Sequence, residues 1–220
     1  MGKKVHPKAI RIGINKQWSS QWFSRINKGS LKKYKDNLKE DYLIRTEISK
    51  TLKNAALEEI QIKRSQNQLN IIINTARPGL IIGKSGKDIE LLRKKMLKII
   101  SPKTVLKIDI EEVRKPESNA QLIAHSIAEQ LERRFPYRRI MKKTLDKITL
   151  GKEVRGIKIR LAGRLNGAEI ARTEWLSKGK IPLQTFKANI DFAQDVARTT
   201  YGAIGIKIWV YKEDAQNIKY

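Results

Sequence analysis

Cysteine is absent from the sequence, and histidine occurs only twice. The first absence excludes disulfides, thiol nucleophiles and thiolate metal sites. His6 and His125 lie far apart without metal-ligand spacing, and His125 falls on a helical stretch, where a structural or solvent-facing role is favoured over metal binding. No apolar run is long enough to span a bilayer, and Lys3 and Lys4 precede no apolar signal-peptide core. We therefore expect no cofactor, no bound metal and no membrane association.

Acidic residues are also scarce, because 22 Asp and Glu stand against 47 Lys and Arg, for a net charge of +25. Such an excess destabilises a compact chain by self-repulsion unless a polyanion neutralises it. Nucleic acid is the leading candidate partner, with an affinity that falls as salt rises. An anionic membrane is the competing polyanion, and the lack of a bilayer-spanning apolar run and of a signal-peptide core argues against it.

A glycine-bracketed loop stands where a strand-like run gives way to a helix-like run. Glycine tolerates positive φ and lets another chain approach the backbone, and a cation at a helix N-terminus favours phosphate. A G-x-x-G loop alone is a weak signal, because most such loops are simple turns. The pattern is nevertheless that of KH domains, which clamp single-stranded nucleic acid. The candidate RNA-binding residues here are Gly83, Lys84, Ser85, Gly86 and Lys87.

A P-loop overlaps this segment but fails on spacing. Only three residues separate Gly79 from Gly83, where the motif requires four. We therefore predict no nucleoside triphosphate site.

The hydrophobic periodicity of the first half predicts a sequence of elements around that loop. They are a helix over 41–57, a hairpin around Ile60–Ile62 and Leu69–Ile73, a short helix over 79–83, a helix over 87–100 ended by Pro102, and a strand over 106–110. This order is the type II KH arrangement, with the loop between the two central helices. Residues 1–40 are basic and irregular but carry aromatic residues, which are rare in disordered segments. We expect this arm to dock on a partner or on its own domain.

The second half predicts two helices followed by strands. One helix runs from Pro116 to about Arg134 and the next begins at Pro136; strands are expected over 157–161, 171–177, 189–199 and 204–210. The predicted fold class is therefore α+β: an N-terminal type II KH domain, then a two-layer α/β C-terminal domain with a mostly antiparallel sheet. The predicted segments are an arm over 1–40, the KH domain over 41–113, the C-terminal domain over 117–211 and a short tail over 212–220.

The second predicted helix and its approach carry seven cations and a single acid, Asp146. A helix face that meets only solvent normally carries both positive and negative side chains. A face with almost only positive side chains is therefore better explained by phosphate binding than by exposure to solvent alone. The cations are Arg133, Arg134, Arg138, Arg139, Lys142, Lys143 and Lys147. Arg164, in a predicted turn, is a further candidate RNA-binding residue.

Several segments, above all 163–175 (Gly-Arg-Leu-Asn-Gly-Ala-Glu-Ile-Ala-Arg-Thr-Glu-Trp), resemble the bacterial-type family of small-subunit ribosomal protein three, collinearly over nearly the whole chain. Gly-Lys-Lys-Val-His-Pro at 2–7 and Trp-Ser-Ser-Gln-Trp-Phe at 18–23 belong to the same resemblance. It implies a non-enzymatic protein of the small-subunit head that binds small-subunit rRNA and contacts head proteins ten and fourteen. It further implies a protein that lines the mRNA entrance channel, where Arg138, Arg139 and Lys142 would help unwind structured mRNA.

Two departures from the family pattern fall inside these sites. Ser85 stands where many members carry a cation or Gly, and Phe135-Pro136-Tyr137 replaces a more usual Val-x-Phe. The resemblance implies a cytoplasmic ribosome, with an organellar ribosome as the other setting.

Two further functions stay open on the sequence alone. One is a free KH-type RNA regulator outside the ribosome, against which the arm and the 163–175 segment argue. The other is a nucleic-acid lyase acting through a lysine Schiff base, for which no lysine can be singled out. We also expect Asp at Gly83 or Gly86 to weaken RNA binding while leaving the fold intact.

Overall fold

A computed structural model describes residues 4–23, 31–52, 55–65, 67–101, 104–151 and 153–213. The chain forms two compact units. One comprises Trp18–Arg114, and the other combines Met1–Gln17 with Lys115–Tyr220. The N-terminal segment therefore belongs to the C-terminal unit, which the predicted continuous arm over 1–40 did not anticipate. The bounds 41–113 and 117–211 remain our proposal for the two domains.

The Trp18–Arg114 unit is a four-stranded sheet with helices. Its elements are β1 (Ser20–Gln21), α1 (Leu31–Thr51), β2 (Leu57–Arg64), β3 (Gln68–Thr75), α2 (Gly79–Ile82), α3 (Lys87–Leu97) and β4 (Val105–Glu112). The strand order is β1-β2-β3-β4, with β2 and β3 antiparallel and the two outer pairs parallel. A parallel pair needs a crossover connection, and α2 and α3 supply it between β3 and β4.

Apolar residues at helical and strand spacing form the core of this unit. Ile44 and Ile48 on α1 and Met96 on α3 are fully buried against alternate residues of β2 and β3, such as Ile62 and Ile71. The hairpin and the helix order are confirmed. The first helix differs from its prediction, because it begins at Leu31 and ends at Thr51. Pro102, expected to end the next helix, lies outside the described residues.

The aromatic segment before α1 docks on its own unit. β1 pairs with β2, and Arg45 donates to Ser19 O at 3.0 Å and to Ile60 O at 2.6 Å, which ties the short strand to α1. Trp22 Nε1 donates to the carboxylate of Asp41 at 2.8 Å. The expectation that the arm docks on its own domain is confirmed for this part.

The second unit has two layers. Helices α4 (Ala120–Glu132) and α5 (Tyr137–Thr149) cover an antiparallel sheet of β5 (Val154–Gly163), β6 (Arg172–Gly179), β7 (Ile190–Thr199) and β8 (Gly202–Lys212), in the order β6-β5-β8-β7. The predicted α+β class and antiparallel sheet are confirmed. The first helix starts at Ala120 rather than Pro116, because the Asn119 side chain accepts from Gln121 N and Leu122 N and so caps it there.

One buried arginine holds the N-terminal segment to this unit. Arg11 has no exposed surface and donates to four backbone carbonyls: Ala188 and Pro7, both at 2.9 Å from the guanidinium, Thr185 at 2.9 Å and Leu183 at 3.1 Å. Buried charge is tolerated only when it is well hydrogen-bonded, and the four carbonyls meet that requirement.

Candidate nucleic-acid interface

The glycine-bracketed loop has the left-handed backbone that only glycine adopts readily. Gly83 ends α2 with φ 71°, a 3-10 turn follows, and Gly86 precedes α3 with φ 76° and ψ 8°. Lys84 and Lys87 are exposed at this turn. The side chain of Ser85 lies outside what the structure describes. The loop thus carries two solvent-facing cations at the start of an 11-residue helix.

The two glycines differ in the space around them. A Cβ added at Gly83 would collide with Asp88, whose own Cβ would lie only 2.7 Å away, whereas a Cβ at Gly86 meets nothing within 4 Å. An Asp at Gly83 therefore requires Asp88 or the loop to shift, so this position does not separate an effect on RNA binding from an effect on the fold. At Gly86 the substitution has room, and Asn and Asp tolerate the left-handed conformation better than other residues.

The cationic helix α5 has one buried and one exposed side. Tyr137, Ile140, Met141, Leu145 and Ile148 are buried, so they fix the orientation of the helix on the sheet. The candidate cations Arg138, Arg139, Lys142 and Lys143 are all exposed. An amphipathic pattern with an apolar stripe of this kind leaves the opposite side to solvent or to a ligand.

Among these cations, Arg138 is held by neighbouring side chains. The buried Tyr137 hydroxyl donates to Glu174 Oε1 at 2.7 Å and accepts from Arg138 Nε at 3.1 Å. Arg138 Nη2 lies 3.5 Å from the same carboxylate, although the arginine side chain remains 73% exposed. The hydrogen bond from the Tyr137 hydroxyl is the largest effect on the pKa of Glu174 and lowers it. Desolvation opposes that effect, and Arg138 lowers the pKa further.

Arg139, Lys142 and Lys143 make no ion pair within the described part of the chain. Lys147, by contrast, pairs with Glu117 at 3.1 Å. The single acid of the helix, Asp146, pairs with Lys178 at 3.2 Å. The uncompensated charge of α5 is therefore concentrated toward its N-terminal half.

Arg133 and Arg134 are exposed at the end of α4, where Arg134 adopts a left-handed φ of 63°. They share a unit with the α5 cations and precede them directly in the chain. Arg164 differs from the other candidates. It is half-buried and donates to Ala168 O at 2.9 Å and to Tyr201 O at 3.3 Å, so part of its hydrogen-bonding capacity supports its own loop.

Sequence reasoning missed Tyr137 and Glu174 as partners of the arginine. The alternation of β6 contained a signal for Glu174, because Glu174 is paired with the buried Leu161 and so lies on the helix-facing side of the sheet. His125 lies within 3.5 Å of the carboxylates of Glu129 and Asp195, in keeping with a structural role.

The described residues include no group of three or more His, Cys, Asp or Glu that could hold a metal ion. None of the helices that the structure describes is long and apolar enough to cross a membrane.

Comparison with known proteins gives two domain matches. Residues 43–118 match the family model of the KH domain, and residues 127–210 match that of "Ribosomal protein S3, C-terminal domain". The predicted KH domain, followed by a C-terminal α+β domain, is confirmed.

Similar full-length proteins come from diverse bacteria. Small ribosomal subunit protein uS3 of Coxiella burnetii is 49% identical over 212 residues, which cover 96% of this chain and 90% of the relative. The uS3 protein of Caldicellulosiruptor saccharolyticus is 48% identical, covering 97% and 93%, and that of Pseudoalteromonas atlantica is 47% identical, covering 96% and 88%. The chain therefore belongs to the uS3 family of small ribosomal subunit proteins, a non-enzymatic structural family.

Proposed function

We propose that this protein is a structural constituent of the head of the small ribosomal subunit, where it binds rRNA and lines the channel through which mRNA enters. Membership of the uS3 family supports the ribosomal role, and the net charge of +25 favours a polyanionic partner. The proposed partners are small-subunit rRNA, mRNA and the neighbouring head proteins ten and fourteen. The proposed location is the cytoplasmic ribosome.

The observation that carries the mRNA contact is the exposed, uncompensated charge on α5. Arg139, Lys142 and Lys143 face solvent without an ion pair in the described residues, on a helix whose other side is anchored in the core. Cations on a rigid element engage phosphates regardless of sequence. A strand that is held at several phosphates resists re-pairing, so these residues would help to unwind structured mRNA without hydrolysing a nucleotide.

Translation of paired reporters tests this contact. Ribosomes carrying Arg139→Ala with Lys142→Ala should translate a message with a stable hairpin more slowly than an unstructured message of the same length. Lys147→Ala is the matched control, because it removes a cation from the same helix that is already paired with Glu117. Equal slowing of both messages, or an equal effect of the control, would remove the unwinding role.

We further propose that the loop Gly83–Lys87 clamps the rRNA backbone. Gly86→Asp and Gly86→Asn place side chains of nearly equal size on the same left-handed backbone, and they differ in charge. We expect Gly86→Asp to lower affinity for small-subunit rRNA fragments well below that of Gly86→Asn, with equal thermal stability. Equal affinity of the two folded variants would place the loop outside the RNA contact.

Assembly tests the ribosomal role independently of either site. A tagged copy should migrate with small subunits on a magnesium-containing sucrose gradient and remain there after a moderate-salt wash. A folded, modestly expressed copy that stays at the top of the gradient would instead support the free RNA regulator.

A further inference from the structure

The sheet of the C-terminal unit has a second side, opposite α4 and α5, on which residues align in rows across the four strands. Directly opposed residues of antiparallel strands point to the same side. The register pairs Trp175 with Arg160, Arg160 with Lys207, and Lys207 with Gln194, which makes one row across β6, β5, β8 and β7. All four residues are exposed. A continuous strip of this sheet is therefore open to solvent.

The neighbouring row adds a cation held by two indoles. Lys158 pairs in register with Trp209, and its ammonium lies 4.7 Å from the ring centroid of Trp175 and 5.7 Å from that of Trp209. This contact orients the indole of Trp175, which remains 57% exposed. The far end of the same row is covered, because His6 packs edge-on against Phe192.

The charge on this side of the sheet is of one sign. Lys158, Arg160 and Lys207 make no ion pair within the described residues. The sheet's carboxylates are engaged elsewhere. Glu174 bonds Tyr137 on α5, and Asp191 accepts from Ala120 N on α4.

A cleft of about 510 Å³ continues the strip toward the edge strand β7. Gln194, Val196, Arg198 and Lys207 contribute to its walls. Asp195 also contributes to its lining, but the carboxylate of Asp195 lies 3.5 Å from His125 Nδ1 and accepts from Val196 N at 2.7 Å. The cleft thus adds a fourth cation, and its acid already has partners.

We infer that this side of the sheet binds a single-stranded RNA segment, with Trp175 as a stacking platform for a base and Lys158, Arg160 and Lys207 as contacts to phosphates. An exposed aromatic ring can stack on the flat face of a base, and cations without an ion-pair partner can contact the phosphates. A sheet that offers both suits single-stranded RNA, whose bases are free to stack. An acidic peptide would match the cations but leave the indole unused. The inference rests neither on the Gly83–Lys87 loop nor on the α5 cations.

Binding of a fluorescein-labelled, mixed-sequence RNA 10-mer to the full-length protein tests this surface. We expect Arg160→Glu with Lys207→Glu to bind at least tenfold more weakly than Lys180→Glu with Lys187→Glu. The control pair makes the same charge change at exposed loop positions of the same unit. Loss of two phosphate contacts should also reduce the slope of log affinity against log salt by about 1.4, at about 0.7 per contact for a single strand.

The stacking role has its own matched pair. Trp175→Ala should weaken binding about tenfold, and Trp175→Tyr should recover most of that loss because an aromatic face remains. Thermal denaturation of each variant confirms that the fold is kept.

Three outcomes would overturn the inference. The first is an equal loss of RNA affinity in the test and control charge pairs. The second is parental RNA affinity in Trp175→Ala. The third is a test charge pair that keeps its RNA affinity but no longer binds an oligoglutamate peptide, which would assign the surface to an acidic protein. The measurements are repeated with Arg138→Ala, Arg139→Ala and Lys142→Ala combined. Persistence of the sheet effects in that background separates this surface from the α5 contact.

Discussion

Replacing Arg11 by Met tests how the N-terminal segment is attached to the C-terminal unit. Met keeps an unbranched apolar chain but removes the guanidinium that donates to Ala188, Pro7, Leu183 and Thr185. Three of these carbonyls lie more than 170 positions away along the chain from Arg11. The substitution therefore removes a link between distant parts of the sequence.

The structure sets the size of the expected effect. Each bond involves a charged donor, and Arg11 has no exposed surface, so water cannot replace the lost donors without the segment opening. Leaving a buried acceptor without its donor costs about 1–3 kcal/mol, so the loss of four such bonds sets a lower value of about 4 kcal/mol. With a urea dependence of about 2 kcal/mol per molar, a loss of about 4 kcal/mol lowers the unfolding midpoint by about 2 M.

Urea unfolding, followed by far-ultraviolet circular dichroism, measures that shift. The control is Arg155→Met, because Arg155 is an exposed arginine of the same unit that pairs with Glu213 at 2.8 Å; its midpoint should hardly change. Hydrogen exchange should also show faster exchange of the amide of Ile14, which is bonded to Arg11 O. A midpoint within about 0.5 M of the parent, with unchanged exchange, would refute the anchoring role.

Two further predictions concern side chains described above. Tyr137→Phe removes the hydroxyl that holds Arg138, so it should weaken RNA binding two- to fivefold in the parent and in Arg139→Ala. It should have no effect in Arg138→Ala, where the arginine is already absent. Equal losses in all three backgrounds would mean that the hydroxyl does not act through Arg138. Burial raises the pKa of Asp191, but the charges of Lys8, Lys212 and Lys16 and the bond from Ala120 N together outweigh it and hold that pKa below its usual value. The ionised carboxylate of Asp191 therefore stabilises the fold above about pH 4, the usual pKa of an aspartate, and this stabilisation is lost as the pH falls through the lower pKa of the folded state. As the pH is lowered, the urea midpoint should fall less steeply in Asp191→Asn than in the parent.

Periodicity predicted the main elements because their apolar residues are spaced for burial on one side. The fully buried Ile157, Ile159 and Leu161 alternate with polar residues on β5, and Ile123 and Ile127 share one side of α4. Both patterns follow from elementary geometry. Where this signal is weak, the prediction was wrong: the N-terminal part of α1 is mostly polar, with Leu31 and Leu38 exposed, so its true start at Leu31 was not visible.

The candidate interface was predicted as a set of residue types, but not as an arrangement. Exposure of Arg139 and Lys142 follows from helical spacing. The Tyr137–Glu174 contact depends on tertiary packing across 37 positions. Alternation along β6 places Glu174 on the helix-facing side, but it does not identify Tyr137 as its partner. The same holds for Gly83, since only the packing of Asp88 against it shows that a side chain added there would displace Asp88 or the loop.

The path of the chain has a consequence for synthesis. Residues 4–17 leave the ribosome first, yet Arg11 finds its partners only when Leu183 and Ala188 have been made. The Trp18–Arg114 unit can complete its sheet long before that point, so it is expected to fold while the earlier segment waits unpaired. A contact between residues more than 170 positions apart forms slowly compared with a local hairpin. The docking of residues 4–17 on the segment around Leu183 and Ala188 is therefore expected among the last steps of folding. A nascent chain arrested before residue 183 should therefore expose residues 4–17 to protease while the following unit is already resistant.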